Sequence, residues 1–293
     1  MKFNLLLIAL LMYCFVQCGK PKESTSTILQ KIEYTDINKN SYFIDYSLRG
    51  NFEIYFNGIL IEKKNTTENV MNYQYLNQFI EGSGEQEITI KVIPEQNTKD
   101  LSTELLKTIS ISIYFSENGD NPPLKQIAKL ELPIYNKPQN SVLHSWKVKM
   151  DVPYKTTQLK DEALNISTGN TDQLFKEVKD YYLRMHNIIN SGNSKEYIDL
   201  YRKSIARETE TSYYSETQNE KYILNLAERV EKSKDCMLPM LNSHLVIHPN
   251  GLLVEMQDEH YDSPLISKDK NGKTRTFGLV LYRSKKTGKL EVY

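Results

Sequence analysis

Cysteine is scarce in this chain of 293 residues, which holds only Cys14, Cys18 and Cys236. Two of the three fall in the first eighteen residues. The mature chain is therefore expected to have no disulfide, and its domains must be large enough to hold themselves together by packing. A surplus of one charge is also missing, since 37 Lys and Arg balance 37 Asp and Glu. The balance holds regionally, with 15 basic against 16 acidic residues over 19–150 and 21 against 21 over 151–293. Without a basic surplus to neutralise phosphates, nucleic acid is not expected as a partner. There is one tryptophan against twenty tyrosines. No Gly-x-Ser-x-Gly elbow occurs. Gly82-Ser-Gly84 leads into a strand rather than a helix, so the dinucleotide fingerprint does not apply and no cofactor is expected. What remains is ordinary for a folded chain: 39% hydrophobic and 25% charged residues, too apolar for disorder.

The first eighteen residues stand apart. Met1-Lys2 is a short positive start, Leu5 to Val16 is an unbroken apolar run, and Cys18-Gly19 follows at once. This is the layout of a secretory signal, with a charged n-region, an apolar h-region and a processing site. A run of that length spans about 18 Å as a helix, short of the roughly 30 Å hydrocarbon core, so a permanent span is not expected. The boundary cysteine resembles the lipobox of bacterial lipoproteins, with Gln17 standing where Gly, Ala or Ser is usual. The resemblance implies that Cys18 is acylated and tethers the mature chain to a bilayer of the cell envelope, facing the periplasm. Residues 19–28 are polar, aperiodic and contain Pro21, which suits a flexible tether.

From 29 to 154 the signals are those of strands. Asn57-Gly58 between Asn51–Phe56 and Ile59–Lys64 is a hairpin signal, because a type I′ turn needs positive φ at both central residues. Further strands are expected at Glu87–Ile93, stopped by Pro94, at Ile109–Phe115 and at Gln126–Leu132. Trp146, Val148, Met150 and Val152 fall on one face of a last strand, and Leu101–Leu106 reads as a helical turn. About seven or eight short strands with little helix predict an antiparallel β-sandwich, Ig-like or jelly-roll-like.

Periodicity is lost over 155–170, read as a linker, and the pattern then changes. Leu174, Phe175, Val178, Tyr181, Tyr182, Met185, Ile188 and Ile189 trace one helical stripe, capped by Thr171 and ended by Gly192. A second helix starts near Ser194 and buries Tyr197, Leu200, Tyr201 and Ile205; a third opens with a capping box at Thr217-Gln-Asn-Glu220. Strands follow near 237–248, 251–257 and 275–283, with a reversal at Asn250-Gly251 and a last hairpin across Lys286–Lys289. The expectation for 171–293 is an α+β domain of three helices packed on a curled antiparallel sheet. The segment Val178–Tyr201 resembles the opening helix pair of the cystatin-like cone fold, shared by nuclear transport factor relatives and SnoaL-type proteins.

That resemblance implies a cavity in which His260, with Asp258 or Asp262, would form an acid–base pair. Read from the residues alone, Asp258-Glu-His-Tyr-Asp262 is a solvated loop, since Asp262-Ser-Pro264 and Lys268–Gly272 continue it. His244 and His248 are not expected to share a metal, because residues four apart in a strand sit about 13 Å from each other. Cys236, among Met237, Leu238, Met240 and Leu241, is expected to be buried. Trp146 and Tyr154, with the tyrosines at 34, 42, 46 and 55, could build a stacking platform; core packing is the better expectation for them. With no catalytic machinery in view, the reading is a tethered, non-enzymatic binding protein with a protein partner. Likeness to solitary bacterial lipoproteins implies its most specific form, an immunity lipoprotein that sequesters a toxin delivered into the periplasm. The alternatives are a cone-fold enzyme acting on a small molecule and an envelope or glycan-binding component.

Overall fold

The computed structural model describes residues 38–94, 98–117, 119 and 124–293. The signal-like segment, Cys18, the 19–28 tether and Tyr34 lie outside the described residues. The N-terminal half is organised by one hairpin. Asn57 and Gly58 take φ of 50° and 72°, the left-handed pair that a type I′ turn requires, and join β1 (Ser41–Phe56) to β2 (Ile59–Tyr75). The remaining strands are β3 (Gly84–Ile93), β4 (Ser110–Ser116), β5 (Lys125–Leu130) and β6 (Val142–Met150); α1 (Thr103–Thr108) precedes β4.

β1 is long enough to serve two partners. Ser41–Ser47 pair with β4 and Asn51–Phe56 pair with β3, all antiparallel, while β2 runs along the opposite edge of β1. The register shifts between Leu48 and Gly50, where Gly50 takes φ +95° and lets the strand bend. All six strands thus belong to one hydrogen-bonded sheet, in the order β5-β4-β1-β3-β6 with β2 beside β1. The sheet curls on itself: Trp146 Nε1 on β6 donates to Glu131 O just after β5 at 3.0 Å. Even-numbered residues of β1 line the inside. Tyr46, Leu48, Phe52, Ile54 and Phe56 pack there with Ile88, Ile90, Ile111, Ile113 and Met150.

The C-terminal half begins with α2 (Leu159–Glu162) and β7 (Ala163–Leu164), both within the segment read as a linker. Helices α3 (Thr171–Asn190), α4 (Ser194–Thr211) and α5 (Glu216–Glu231) follow, then β8 (His244–Ile247), β9 (Leu253–Gln257), β10 (Ile266–Lys268), β11 (Thr274–Thr276), β12 (Val280–Ser284) and β13 (Leu290–Val292). The stripe on α3 is buried through Leu174, Val178, Tyr182, Met185, Ile188 and Ile189, and Gly192 takes φ +71°. Two caps differ from expectation by a residue or two. Asn170, not Thr171, accepts from Asp172 N and Gln173 N. The capping box on α5 is Ser215 with Gln218, because Thr217 to Glu220 already lie inside the helix. The expected strand over 275–283 is interrupted by Phe277-Gly-Leu279, which separates β11 from β12. The second sheet has the order β13-β12-β9-β8, with β7 pairing β12. Tyr182 of α3 meets this sheet by donating to Leu279 O and accepting from Met256 N at 3.0 Å.

The described residues all fall in one compact unit. Tyr213, directly after α4, takes φ +54° and is counted in the core of the first sheet at 3% exposure. Its hydroxyl donates to Asn40 O at 2.7 Å. Asn77 lies beneath it: its Nδ2 donates to Asn40 O, its Oδ1 accepts from Tyr42 N, and its carbonyl accepts from Tyr154. Elsewhere the two Asn-Gly turns meet, Asn250 N donating to Gly58 O at 3.3 Å, and Leu60 N donates to His248 Nδ1 at 3.1 Å.

Candidate functional site

Alternation in a strand sends successive side chains to opposite faces, so the odd residues of β1 face away from the core. Phe43 is opposite Tyr75 of β2 on one side and Tyr114 of β4 on the other. Tyr73, one pleat further along β2, stacks on Phe43 with ring centroids 4.8 Å apart and planes 14° from parallel. Tyr75 is tilted against Phe43 at 5.4 Å, and Tyr114 against Tyr73 at 6.5 Å. The result is an aromatic row across three strands of a rigid sheet. Phe43 is 4% exposed and forms its floor, whereas Tyr73 is 45% exposed and Met71 beside it 75%.

The row is one side of a cleft of about 440 Å³; the other side is the turn between α4 and α5, with Ser212, Tyr213, Tyr214 and Gln218. Tyr75 ties floor to wall by donating to Thr211 O at 2.8 Å. The left-handed backbone at Tyr213 sends that side chain down into the sheet while Tyr214 stays beside the cleft, packed against Tyr222 at 5.8 Å. Gln218 Oε1 accepts from Ser215 N, so its amide nitrogen is the group left to offer. Among the described residues lining the cleft, Lys39 is the charged one.

For the aromatic residues that the sequence singled out, core packing was expected over a stacking platform, and the described ones follow it. Tyr42, Tyr46, Tyr55 and Tyr154 are 1–9% exposed and packed inside, and Trp146 is half-buried against His144. The missed signal was the alternation Met71-Asn-Tyr73-Gln-Tyr75 in the strand that pairs with Phe43.

The loop carrying His260 is arranged by its backbone. Asp258 Oδ1 accepts from His260 N at 2.8 Å and Asp262 N at 3.0 Å, so Asp258 holds the turn rather than the imidazole. The His260 side chain is 77% exposed, with Glu259 as its nearest acid at 3.8 Å. Tyr261 takes φ +67° and lies beneath Lys63 of β2, whose ammonium is 4.5 Å from the ring centre. Lys63 also reaches Glu53 at 3.2 Å; Lys91 reaches the same carboxylate at 3.0 Å, and Tyr55 donates to it. Burial opposes charge on Glu53, but bonds from Tyr55, Lys91 and Lys63 outweigh it and hold the carboxyl below its ordinary range. That cluster is saturated by its own members.

His248 is buried, and His244 is exposed in β8. Because Nδ1 of His248 accepts from Leu60 N, the ring hydrogen sits on Nε2, 3.3 Å from Glu255. A ring in that tautomer has no lone pair left for a metal. Among the described residues, no three of His, Cys, Asp and Glu gather closely enough to hold a metal ion. Cys236 is half-buried rather than buried. No described helix is long and apolar enough to cross a membrane. Compared with protein families, curated proteins and solved structures, the chain has no significant match to any of them.

Proposed function

We propose that the chain is a non-enzymatic binding protein of the cell envelope, tethered through an acylated Cys18, and that the aromatic cleft is its contact surface. The observation that carries this reading is Tyr73, stacked on a buried Phe43 and turned outward beside a concave wall. Rigid aromatic anchors of this kind give contact area at small entropic penalty. The described walls hold rings, hydroxyls, an amide and one lysine, a set suited to holding a ligand rather than to moving protons. The Ig-like or jelly-roll-like form of the first half and the cone-like form of the second belong to this proposal, supported by the curl of one sheet and by Tyr182 joining α3 to the other.

Two partner classes suit such a protein: an envelope glycan, and a protein such as a periplasm-delivered toxin. The concavity favours the glycan, since a cleft of several hundred Å³ encloses a small ligand unit. Met71, two residues before Tyr73 on β2 and 75% exposed, is the observation on the side of a protein partner. Addition of a partner strand to β2 has less support. Lys63 N, Glu68 N and Tyr73 N already donate to Glu62, Thr66 and Asn72 side chains, and the register of β2 shifts between Thr66 and Val70.

Two measurements test the reading. Tyr73→Ala should weaken capture of envelope glycan at least tenfold with an unchanged melting profile; retained capture defeats the cleft as contact surface. Cys18→Ser should move the protein from the membrane fraction to the soluble periplasm, and a variant that stays membrane-bound with unchanged processing defeats the lipid tether.

A further inference from the structure

We propose that Asn271, at the tip of the β10–β11 hairpin, is a site of spontaneous covalent modification, its amide being lost to leave aspartate and isoaspartate. Asn-Gly pairs begin at four positions in the chain, 57, 118, 250 and 271, and Asn118 lies outside the described residues. A glycine after asparagine leaves its backbone nitrogen unshielded, so that the nitrogen can reach the side-chain carbonyl. By sequence the three described pairs are alike. The fold separates them.

Two of the pairs are locked by contacts that reach across the molecule. Asn57 donates from Nδ2 to Gln86 Oε1 at 2.8 Å and accepts from Glu87 N at 2.9 Å, and a Cβ on Gly58 would stand 2.9 Å from Asn250. Asn250 Oδ1 accepts from Leu252 N at 2.9 Å. Gly251 is buried, donates to His248 O and accepts from Ile166 N, both at 2.8 Å. A Cβ on it would meet Asn165 at 2.9 Å and Ser167 at 3.1 Å.

Asn271 has no such restraint. It is exposed, its side-chain amide has no hydrogen-bond partner among the described residues, and a Cβ on Gly272 would meet no atom within 4 Å. Its turn is held locally: Gly272 N donates to Asp269 O at 2.9 Å, and Asp269 Oδ1 accepts from Asn271 N and Lys273 N, both at 3.0 Å. This tip can open while both sheets stay intact, whereas freeing Asn57 or Asn250 means parting the two turns that meet between the halves.

In the reaction, Gly272 N bonds to Cγ of Asn271 and the Cγ–Nδ2 bond breaks; the leaving nitrogen takes up the proton that Gly272 N gave up and departs as ammonia. Water then opens the cyclic imide. Attack at Cγ gives aspartate, attack at the backbone carbonyl gives isoaspartate, and a carboxylate forms either way. Isoaspartate adds a methylene to the backbone between 271 and 272. That lengthens the turn closing Lys268 on Thr274, in a hairpin that Ser267 ties to Ser233, just after α5, through hydroxyls 2.8 Å apart.

The experiment ages the whole protein in mildly alkaline buffer and follows the mass gain of deamidation on fragments cut after glutamate. Residues 260–291 then hold Asn271 as their sole asparagine, residues 54–62 hold Asn57 alone, and Asn250 is distinguished from Asn242 within 232–255 by fragmentation. In the folded protein Asn271 should lose its amide at least tenfold faster than Asn57 or Asn250, and in guanidinium chloride the three rates should converge. Asn271→Gln should silence the signal in 260–291, because the longer side chain closes its ring far more slowly. Equal rates in the folded protein, or a ranking that guanidinium chloride leaves unchanged, overturn the proposal.

Discussion

At the scale of single residues, the strongest perturbations belong to packing rather than to the cleft. Glu291 on β13 accepts from Lys203 at 3.0 Å, Tyr282 at 2.8 Å and Thr287 at 2.9 Å. Burial alone would raise its pKa, but these bonds together pull it from 4.5 down to about 2. A carboxyl with a lowered folded-state value binds fewer protons folded than unfolded, so stability rises with pH through that window. Its contribution is full above pH 4.5 and is lost as pH falls towards 2. Glu291→Gln should therefore flatten the acid limb of a plot of urea midpoint against pH, and lower stability by about 1 kcal/mol at neutral pH. An unchanged acid limb would show that Glu291 is not the group responsible. His260 is the opposite case. Its ring is mostly in solvent, and its loop is shaped by Asp258 accepting backbone amides, so His260→Ala should change stability by less than about 0.5 kcal/mol in thermal melts. Its flanking carboxylates were visible in the sequence; that Asp258 was committed to the backbone was not, because an Asx turn and a catalytic pair share the same letters.

At the scale of elements, what was legible depended on locality. Asn57-Gly58, the stripe on α3 and Gly192 are local patterns, and each stands where its physics requires. The capping box slid by two residues because Ser215-x-x-Gln218 and Thr217-x-x-Glu220 both satisfy the pattern and only the helix start distinguishes them. Pairing of β1 with three other strands was not legible, nor was the bend at Gly50, since both depend on contacts far apart in sequence. The cleft was missed for the same reason: Phe43, Tyr73 and Tyr114 become neighbours only once β1 lies between β2 and β4. Gly58 joins the local and distant cases. Its φ of +72° belongs to the hairpin, yet a Cβ there would stand 2.9 Å from Cβ of Asn250 in the other half. Gly58→Ala should thus cost about 2 kcal/mol or more in chemical denaturation, through backbone strain and the clash together. Asn250→Gly in the same background should recover the part due to the clash. No recovery would mean that the two turns do not press on each other.

At the scale of the whole molecule, the change from strand to helix pattern near 155–170 was plain in the sequence and suggests two halves that fold separately. The contacts between the halves lead to a different expectation. Tyr213 enters from the second half into the core of the first, where its hydroxyl is bonded to Asn40 and its ring lies 5.7 Å from Tyr154. No pattern announces such a residue, because a tyrosine after a helix reads as an ordinary loop position, and its left-handed φ is tolerated only where surrounding contacts hold it. Removing it leaves Asn77 without one neighbour and opens a cavity in the first sheet, while the helix that carries it loses its anchor. Calorimetry on the intact chain should accordingly give one cooperative transition. Tyr213→Phe should lower stability by about 1–2 kcal/mol through loss of the hydroxyl bond, and Tyr213→Ala by about 3–5 kcal/mol through the cavity as well. If Tyr213 couples the halves, the Ala variant should also split the thermogram into two transitions, one for each half. Two transitions already present in the unaltered chain would show instead that the halves unfold independently, with Tyr213 no more than a surface contact between them. The cleft depends on the same residue, because the wall that faces Tyr73 is the turn that Tyr213 pins. A variant that frees this turn should weaken ligand capture even though no residue touching the platform has changed.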